Sequence, residues 1–247
     1  MAVKKKPSSQ GMSKKMMKRK KPINNTYFLD VNPITENQKF FFEEWDKGNN
    51  LFAYGAAGTG KTFIALYLAL KEVMNEESPY DKVYIVRSLV STREIGFLPG
   101  THEDKSELYQ IPYKNMVRNM FHMPDQMSFD MLYDNLKNQE TISFWSTSFL
   151  RGTTLDNAII IVDESQNLHF HELDTIMTRV GQDSRIIFCG DASQSDLVKA
   201  TDRTGIIDFQ RILQTMDEFS LIEYGIEDIV RSGIVKSYII AKINLGI

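Results

Sequence analysis

A glycine-rich segment that ends in lysine and threonine is the part of this sequence best suited to binding phosphate. It fits the pattern G-x-x-x-x-G-K-[ST] with Gly55, Ala56, Ala57, Gly58, Thr59, Gly60, Lys61 and Thr62. Glycines let successive backbone N–H groups turn toward phosphate oxygens, and a helix that begins there adds the positive end of its dipole. We therefore expect Lys61 to bridge the terminal phosphates of a nucleotide and the Thr62 hydroxyl to coordinate Mg2+.

Two adjacent carboxylates end an apolar run further along the chain. Residues 159–162 are Ile-Ile-Ile-Val, which is typical of a buried strand, and Asp163 and Glu164 follow directly. From the C-terminal end of a strand Asp163 can reach a metal ion held by Thr62, and Glu164 can polarise an attacking water. An acid placed on water favours an ATPase over a kinase, because a kinase needs a hydroxyl acceptor.

A further apolar run, residues 186–189, ends in Gly190-Asp191, and Gln194 lies three residues beyond. An amide at that place could contact the γ-phosphate or the attacking water and respond to the loss of the phosphate.

Short apolar runs and helical periods mark the elements that must position these residues. Helical spacing extends from Thr62 to Met74, directly after the phosphate loop, and a capping pattern at Thr35 and Gln38 opens a helix over residues 33–45. Further helices are predicted over 127–138 and 171–180, and strands over 51–54, 83–87, 141–146, 158–162 and 185–189. The strands are continuous apolar runs, as expected where helices cover both faces of a sheet. The predicted fold class is therefore α/β, with a mainly parallel sheet flanked by helices.

Charge and loop residues indicate the domain organisation. Residues 1–22 hold nine of the 29 Lys and Arg and no acid, so the remaining 20 face 32 acidic residues, a net charge of about −12. Proline, glycine and serine interrupt any helical period there, and we expect a disordered basic tail. It is either a solvated arm or an arm that binds nucleic-acid phosphates. Residues 23–247 are predicted to form one domain, with an insertion at about 91–124 marked by the loop residues Gly96, Pro99, Gly100, Pro112 and Pro124.

The composition excludes several classes of protein. With 42% apolar and 25% charged residues among 247, the chain as a whole is neither disordered, collagenous nor a coiled coil. The single cysteine, Cys189, cannot form an intramolecular disulfide, and no Cys/His cluster predicts structural zinc. The apolar run 158–162 is far shorter than the roughly 18 residues of a membrane span. We expect no membrane contact, no secretory signal and a reducing, cytoplasmic location, in a bacterium or as a virus-encoded protein within its host.

The order of these motifs resembles that of superfamily 1 helicase-type ATPases and, more narrowly, that of the PhoH family. The motifs that carry the resemblance are Gln38, residues 55–62, Val86-Arg87-Ser88, residues 163–167, residues 190–194 and Asp228-Ile229-Val230-Arg231. The runs 96–100, 150–153 and 178–181 also have close counterparts in the PhoH family. The resemblance covers residues 33–241. It departs at Ser165, where the family usually has alanine, and at Ser232-Gly233, where it usually has His-Pro.

The resemblance implies a single RecA-like phosphate-loop NTPase core that binds ATP and Mg2+. The side chains that would contact the nucleotide, its metal or the attacking water are Gln38 (adenine), Lys61 (phosphates), Thr62 and Asp163 (metal), Glu164 (water) and Gln194 (γ-phosphate). Arg231 would stabilise the transferred negative charge, with Arg203 in reserve, although a surface salt bridge is the alternative for either arginine.

The same resemblance implies that the protein acts on nucleic acid. Related helicases place loops after strand ends against single-stranded backbone, and the candidates here are Arg87, Ser88, Thr147 and Arg151. RNA and DNA stay equally open as the partner. Aromatic and histidine residues nearby are predicted to be structural, each group with a functional alternative. Phe144 and Trp145 are predicted to lie in the core, with stacking on bases as the alternative. Phe40, Phe41, Phe42 and Trp45 are predicted to pack in a helix, with one of them under an adenine as the alternative. His169 and His171 are predicted to be polar residues that open a helix, with an H-x-H metal pair as the alternative.

The length of the chain adds an expectation about assembly. Helicases of superfamily 1 usually hold ATP between two RecA-like cores, and about 225 residues after the tail suffice for one such core. We therefore expect a homo-oligomeric ring, a hexamer by the resemblance, with an arginine supplied in trans; the alternative is a monomer that hydrolyses ATP poorly. Two functions stay open, a Mg-dependent ATPase coupled to single-stranded nucleic acid and a slow ATP-binding switch that recruits a protein partner. A kinase lacks a visible acceptor site.

Overall fold

The computed structural model describes residues 25–87, 102–147, 150–191 and 200–245, without the side chains of 102–107 and 200–204. Several sequence predictions lie outside the described residues, namely the basic tail 1–22, Ser88, the run 96–100 and Gln194. The backbone of Arg203 belongs to a described helix, but its side chain is not among those that the structure describes.

Within the described ranges, six parallel strands form one sheet in the order β3-β2-β4-β5-β1-β6. The strands are β1 (Asn50–Gly55), β2 (Lys82–Arg87), β3 (Ile142–Ser146), β4 (Ala158–Asp163), β5 (Arg185–Cys189) and β6 (Phe219–Tyr224). The helices are α1 (Glu36–Asp46), α2 (Lys61–Val73), α3 (His102–Met120), α4 (Gln126–Asn138), α5 (Phe170–Met177), α6 (Ala200–Leu213) and α7 (Gly233–Leu245). The predicted α/β class with a mainly parallel sheet is confirmed.

Both faces of the sheet are covered, which explains why the strands are continuous apolar runs. In β4, which is buried along its whole length, Ile159 and Ile161 pack in a core with residues of α1 to α4. Ile160 and Val162 face the other way, into a core with residues of α5 and α6. Because all six strands are parallel, their carboxyl ends meet at one edge of the sheet, where the predicted site residues lie.

The first helix confirms the predicted cap and corrects one packing prediction. Thr35 is the N-cap of α1, and its hydroxyl oxygen accepts a 3.3 Å hydrogen bond from the backbone N–H of Gln38. Phe41 and Trp45 are buried, as predicted. The prediction for Phe40 is wrong, since Phe40 lies on the outer side of the helix and is 39% exposed.

Four elements are absent from the sequence predictions, namely β6, α3, α6 and α7. Ser220 and Glu223 interrupt the apolar residues of β6, which forms the edge of the sheet beside β1. Pro112, predicted to be a loop residue, lies inside the 19-residue helix α3. Burial of Tyr113, Val117 and Met120 at helical spacing outweighs the helix-breaking tendency of the proline.

The last described helix, α7, packs differently from the others. Its sequence is mostly apolar, with Lys236 and Lys242 as its charged residues, yet none of its residues is buried, and Ile234, Tyr238 and Leu245 are 85%, 68% and 72% exposed. A helix of this composition is normally covered by other protein. No helix among the described residues is long and apolar enough to span a membrane.

Candidate nucleotide site

The phosphate loop connects β1 to α2 and depends on glycine at three positions. Gly55, Gly58 and Gly60 have φ angles of 108°, 73° and 85°, in the region that glycine adopts most readily. A Cβ atom at Gly55 would collide with the backbone oxygen of Tyr224 in β6. Gly60 is the N-cap of α2 and offers no side-chain bond. The first-turn N–H groups of α2 are therefore suited to an anion.

Two hydrogen bonds from elsewhere in the chain hold the phosphate loop in place. Gln38 Nε2 donates to the carbonyl oxygen of Thr59 over 2.9 Å, and the backbone N–H of Val230 donates to the carbonyl oxygen of Gly58 over 3.1 Å. Gln38 is 3% exposed, and its Oε1 accepts the N–H of Ile34 at 2.7 Å. Both ends of this amide are engaged within the chain, while the expected contact between Gln38 and adenine stays a prediction.

Lys61 lies beneath the loop with its ammonium group directed to backbone oxygens. Its Nζ donates to the carbonyl oxygens of Gly55 and Ala56 at 3.0 and 2.6 Å. Burial lowers the pKa of Lys61, and the negative charge of neighbouring carboxylates, Asp191 first, opposes that shift. A buried ammonium ion with uncharged partners would gain strongly from exchanging them for a phosphate.

The predicted metal ligands lie together. Thr62 Oγ1 donates a 2.7 Å hydrogen bond to Asp163 Oδ1, and Asp163 is 6% exposed. Hydroxyl and carboxylate oxygens are ligands that Mg2+ prefers, and it usually takes its remaining ligands from phosphates and water. Among the described residues, no group of three or more His, Cys, Asp or Glu side chains could hold a metal ion. The pair therefore fits an ion that binds together with a nucleotide rather than alone.

Glu164 follows the metal ligand in a conformation that is costly for a residue with a side chain. Its φ and ψ are 53° and 41°, in the left-handed region. Its Oε2 accepts a 2.6 Å hydrogen bond from Gln166 Nε2, and its Oε1 lies 4.0 Å from the Arg87 guanidinium. The buried Gln166 also accepts the backbone N–H of Asp191 at 2.9 Å. The half-exposed Glu164 carboxylate is thus held in a fixed direction beside the loop.

A tyrosine that the sequence motifs did not single out contacts the same carboxylate as Thr62. The Tyr113 hydroxyl donates a 2.6 Å hydrogen bond to Asp163 Oδ2, and Tyr113 is 2% exposed. Burial raises the pKa of Tyr113, and the charge of Asp163 raises it further, so the hydroxyl keeps its proton at neutral pH. The loop residues between 91 and 124 concealed this helix; the helical spacing of Tyr113, Val117 and Met120 was the available signal.

Arg231 lines the same cavity as the phosphate loop of its own chain. The cavity has a volume of about 380 Å³ and is bordered by Lys61, Thr62 and Glu164 among others. A Cβ atom at Gly58 would lie 2.8 Å from Arg231 Cγ, so the arginine rests directly on the loop. We expect an arginine in trans, with Arg231 as one candidate; in the single chain described, Arg231 lies beside its own phosphate loop.

The nucleic-acid candidates lie in two places. Arg87 lines the nucleotide cavity, and its guanidinium carbon is 6.0 Å from the centre of the Tyr109 ring. Thr147 and Arg151 line a second cavity of about 300 Å³ beside α5. There the Thr147 hydroxyl donates to Glu172 Oε1 over 2.7 Å. The structure thus brings Arg87 to the nucleotide site and assigns the other two to a separate cavity.

The residues predicted to be structural are mostly so. The backbone N–H of His169 donates to Glu172 Oε2 over 3.0 Å at the start of α5, and the His169 and His171 rings stack 5.7 Å apart. Neither histidine belongs to a metal-binding group in the part of the chain described. Phe144 and Trp145 pack against the two cores on opposite faces of the sheet, as predicted.

The sheet order, the phosphate loop after β1 and the acidic pair at the end of β4 define a RecA-like phosphate-loop NTPase core. A family model described as PhoH-like protein matches residues 30–242, so the chain belongs to the PhoH family. The PhoH-like protein of Mycobacterium leprae is 31% identical over 210 residues, which cover 85% of this chain and 57% of that protein. The PhoH-like protein of Bacillus subtilis is 31% identical over 206 residues, covering 83% and 61%. The chain thus spans about three-fifths of the length of these curated relatives.

Two solved structures are similar to parts of this fold. The large terminase of a thermophilic bacteriophage, in complex with ADP, has a TM-score of 0.46 and 11% identity, with 83% of this chain and 49% of that chain covered. Pif1 helicase from Bacteroides, in complex with ADP-AlF3 and ssDNA, has a TM-score of 0.32 and 20% identity, covering 73% and 37%.

Proposed function

We propose that the protein binds ATP with Mg2+ and hydrolyses it, and that single-stranded RNA or DNA couples to this turnover. The observation that carries the proposal is the hydrogen bond between Thr62 and Asp163 beside the phosphate loop, with Glu164 next in the chain. Phosphoryl transfer to water requires ligands for the metal ion and a base for the attacking water. Thr62 and Asp163 would supply the ligands, and Glu164 would be the base. A cytoplasmic location, as the single thiol of Cys189 indicates, belongs to the same proposal.

Each step of the reaction is assigned to a group beside the loop. Backbone N–H groups and Lys61 would bind the terminal phosphates, and Thr62 and Asp163 would hold Mg2+, which supplies positive charge at the phosphate oxygens. Glu164 would orient the attacking water and accept its proton. Arg231 would face the negative charge of the transferred group from the same chain, and Gln194 is proposed as a contact of the γ-phosphate.

Coupling to nucleic acid is supported by position and charge. Arg87 lies at the end of β2, 4.0 Å from the Glu164 carboxylate, so a backbone phosphate that attracts Arg87 would change the surroundings of the water-activating acid. Thr147 and Arg151 border a cavity next to α5 that could take a further part of the strand.

The basic tail is proposed as an additional phosphate-binding arm. Residues 1–22 carry nine positive charges, and each charge that neutralises a phosphate releases counterions. Deleting residues 1–22 should weaken binding of poly(U) and poly(dT) and flatten the dependence of affinity on salt. An unchanged salt dependence would assign the tail to the solvated-arm alternative.

A second copy of the chain is proposed to complete the assembly. The apolar helix α7 has no buried residue, and it lies beside the phosphate loop, since a Cβ atom at Gly58 would be 3.3 Å from Ile239 Cδ1. A neighbouring subunit at this place would cover α7 and border the nucleotide cavity. We propose a homo-oligomeric ring, a hexamer by the family resemblance.

One observation favours a second function, the slow ATP-binding switch. The Glu164 carboxylate accepts a hydrogen bond from Gln166 and faces the positive charge of Arg87. Both contacts engage the carboxylate oxygens that an attacking water would need. A protein whose acid is engaged in this way would hold ATP for longer and could use the bound state to recruit a partner.

Steady-state ATP hydrolysis with Mg2+, with and without single-stranded RNA and DNA, distinguishes the two functions. We expect one polymer to stimulate the wild type, and Glu164→Gln to lose turnover by about 10²-fold or more while it still binds ATP. The matched control is Glu140→Gln, which removes an exposed acid paired with Lys82 and should keep full activity. Slow turnover that no polymer stimulates would support the switch. Full turnover by Glu164→Gln would place the base elsewhere.

A further inference from the structure

The hydroxyl of Tyr113 and the hydroxyl of Thr62 contact different oxygens of one carboxylate. Thr62 Oγ1 lies 2.7 Å from Asp163 Oδ1, and Tyr113 Oη lies 2.6 Å from Asp163 Oδ2. With one hydrogen bond on each oxygen, the plane of the carboxylate is fixed. Oδ1 of Asp163, beside Thr62, faces the proposed metal position. The hydrogen bond from Tyr113 to Oδ2 therefore sets the orientation of the carboxylate.

Tyr113 is itself held firmly by the packing of α3. Its ring lies 5.4 Å from the ring of Phe144 in β3, and Val117 and Met120 of the same helix are buried in the core. A buried hydroxyl on a packed ring has little freedom to follow the carboxylate if that group turns. The direction of the Asp163 carboxylate is therefore determined by where α3 sits on the sheet.

The same stretch of α3 also borders the nucleotide cavity. Pro112, Tyr113 and Met116 line it, and Tyr109, one turn earlier, lies beneath the Arg87 guanidinium. A shift of α3 would thus move the partner of Asp163 and the neighbour of Arg87 together.

We propose that Tyr113 is a positioning residue that orients Asp163 for Mg2+, so that metal affinity depends on the seating of α3. The inference rests on the proposed function in one respect, the role of Asp163 as a metal ligand. Hydrogen-bond partners of metal ligands typically contribute 10- to 100-fold to metal affinity. The proposed effect of Tyr113 passes through its hydrogen bond to Asp163.

Metal binding to the ADP complex tests the proposal without turnover. Mn2+ serves as the probe for the Mg2+ site, and its affinity is measured by electron paramagnetic resonance on the full chain with saturating ADP. We expect Tyr113→Phe to weaken Mn2+ binding by about tenfold or more, and to leave ADP affinity in EDTA within about twofold. An Mn2+ affinity equal to that of the wild type would overturn the proposal.

The chain offers a matched control in Tyr133. This tyrosine of α4 is 3% exposed, and its hydroxyl is buried without a hydrogen-bond partner among the described residues. Tyr133→Phe therefore removes the same atom from the same kind of environment, and should leave Mn2+ affinity unchanged. An equal loss of Mn2+ affinity in both variants would assign the effect to general packing and overturn the proposal.

A double-mutant cycle separates positioning from a structural effect. If Tyr113 acts through Asp163, adding Tyr113→Phe to Asp163→Asn should change Mn2+ affinity no further. Additive losses would contradict the proposal. A wild type that binds Mn2+ but hydrolyses no ATP would refute the proposed ATPase and leave this inference standing, whereas active Tyr113→Phe with wild-type Mn2+ affinity would refute this inference alone.

Discussion

The side-chain amide of Gln38 donates a 2.9 Å hydrogen bond to the carbonyl oxygen of Thr59, and so links the first helix to the phosphate loop. Gln38→Ala would remove the buried partner of that carbonyl and of the Ile34 N–H. We expect the free energy of unfolding to fall by about 1–3 kcal/mol, and ATP affinity to fall as the loop loosens. Urea denaturation and nucleotide titration measure the two effects.

The control for Gln38 is Gln126, an exposed glutamine that bonds Asp130 on the surface of α4. Gln126→Ala should change the free energy of unfolding by less than about 0.5 kcal/mol. If Gln38 instead contacts adenine, Gln38→Ala should leave the free energy of unfolding unchanged and remove the preference for ATP over GTP.

The lowered pKa of Lys61 predicts a pH dependence of stability. Its folded pKa lies below the ordinary value of 10.5, so between the two the unfolded chain binds more protons and the free energy of unfolding rises with pH. Lys61→Met has no ammonium group to titrate in the folded or the unfolded state, so its free energy of unfolding should rise less with pH than that of the wild type. Urea unfolding of the ligand-free protein from about pH 8 to about pH 10.5 measures the difference.

Lys71 provides the comparison for Lys61 on the same helix. It lies in the last turn of α2 and is exposed, so Lys71→Met is the comparison substitution outside the buried site. The explanation by burial fails if Lys61→Met and Lys71→Met give parallel curves of stability against pH.

The parts of the site that could be predicted from sequence are those encoded by neighbouring residues. The phosphate loop needs glycine at Gly55, Gly58 and Gly60 because of local φ angles, and the motif states those requirements directly. Asp163 and Glu164 were predictable for a similar reason. The apolar run before them is buried on both faces of the sheet, so the buried strand has to end where the two acids begin. Parallel pairing then brings these two segments to the same edge of the sheet.

The parts that escaped prediction depend on contacts between distant segments. Tyr113 reaches Asp163 across 50 positions of sequence because α3 packs over the sheet, and no motif spacing records that packing. Arg231 rests on Gly58 for the same kind of reason. β6 was hidden because Ser220 and Glu223 break its apolar run at an edge strand, where one side needs no partner.

Gln166 connects the water-activating acid to the end of the neighbouring strand. Its amide donates to Glu164 and accepts from the Asp191 backbone, so Gln166→Met should release the Glu164 carboxylate while keeping the shape of the side chain. We expect kcat for ATP to fall by about tenfold, the contribution of one hydrogen bond to a charged group, with KM little changed. Gln214→Met, at an exposed position after α6, is the control. A rise in kcat would contradict the orienting role and support the switch.

The exposed apolar surface of α7 predicts where subunits meet. Ile234→Glu and Tyr238→Glu would place charges at two positions that are 85% and 68% exposed in the single chain. We expect the double variant to dissociate to the 28.4 kDa monomer in light scattering, with the wild type assembled. Ile212→Glu alters an isoleucine of α6 that is 47% exposed, and should leave the assembly intact. An assembled α7 variant, or a monomeric wild type, would remove α7 from the interface.

Arg231 is expected to act on the nucleotide of its own chain, because it rests on Gly58 of its own phosphate loop. Arg231→Ala should lower kcat by about 10³-fold while ATP still binds, as for arginines that stabilise phosphoryl transfer. Arg211→Ala, which removes an exposed arginine paired with Asp208, is the control and should stay active.

Mixed assemblies decide whether Arg231 acts in cis. Co-expressed Arg231→Ala and Lys61→Ala subunits each lack one part of the site. If both parts come from one chain, every site in the mixture is defective and hydrolysis stays at the level of the single variants. If Arg231 reached a neighbouring subunit, sites that combine an intact Lys61 with an intact Arg231 would form, and activity would reappear on mixing. Recovery of hydrolysis would therefore assign the trans role to Arg231, whereas a mixture as inactive as its components agrees with the contact between Arg231 and Gly58.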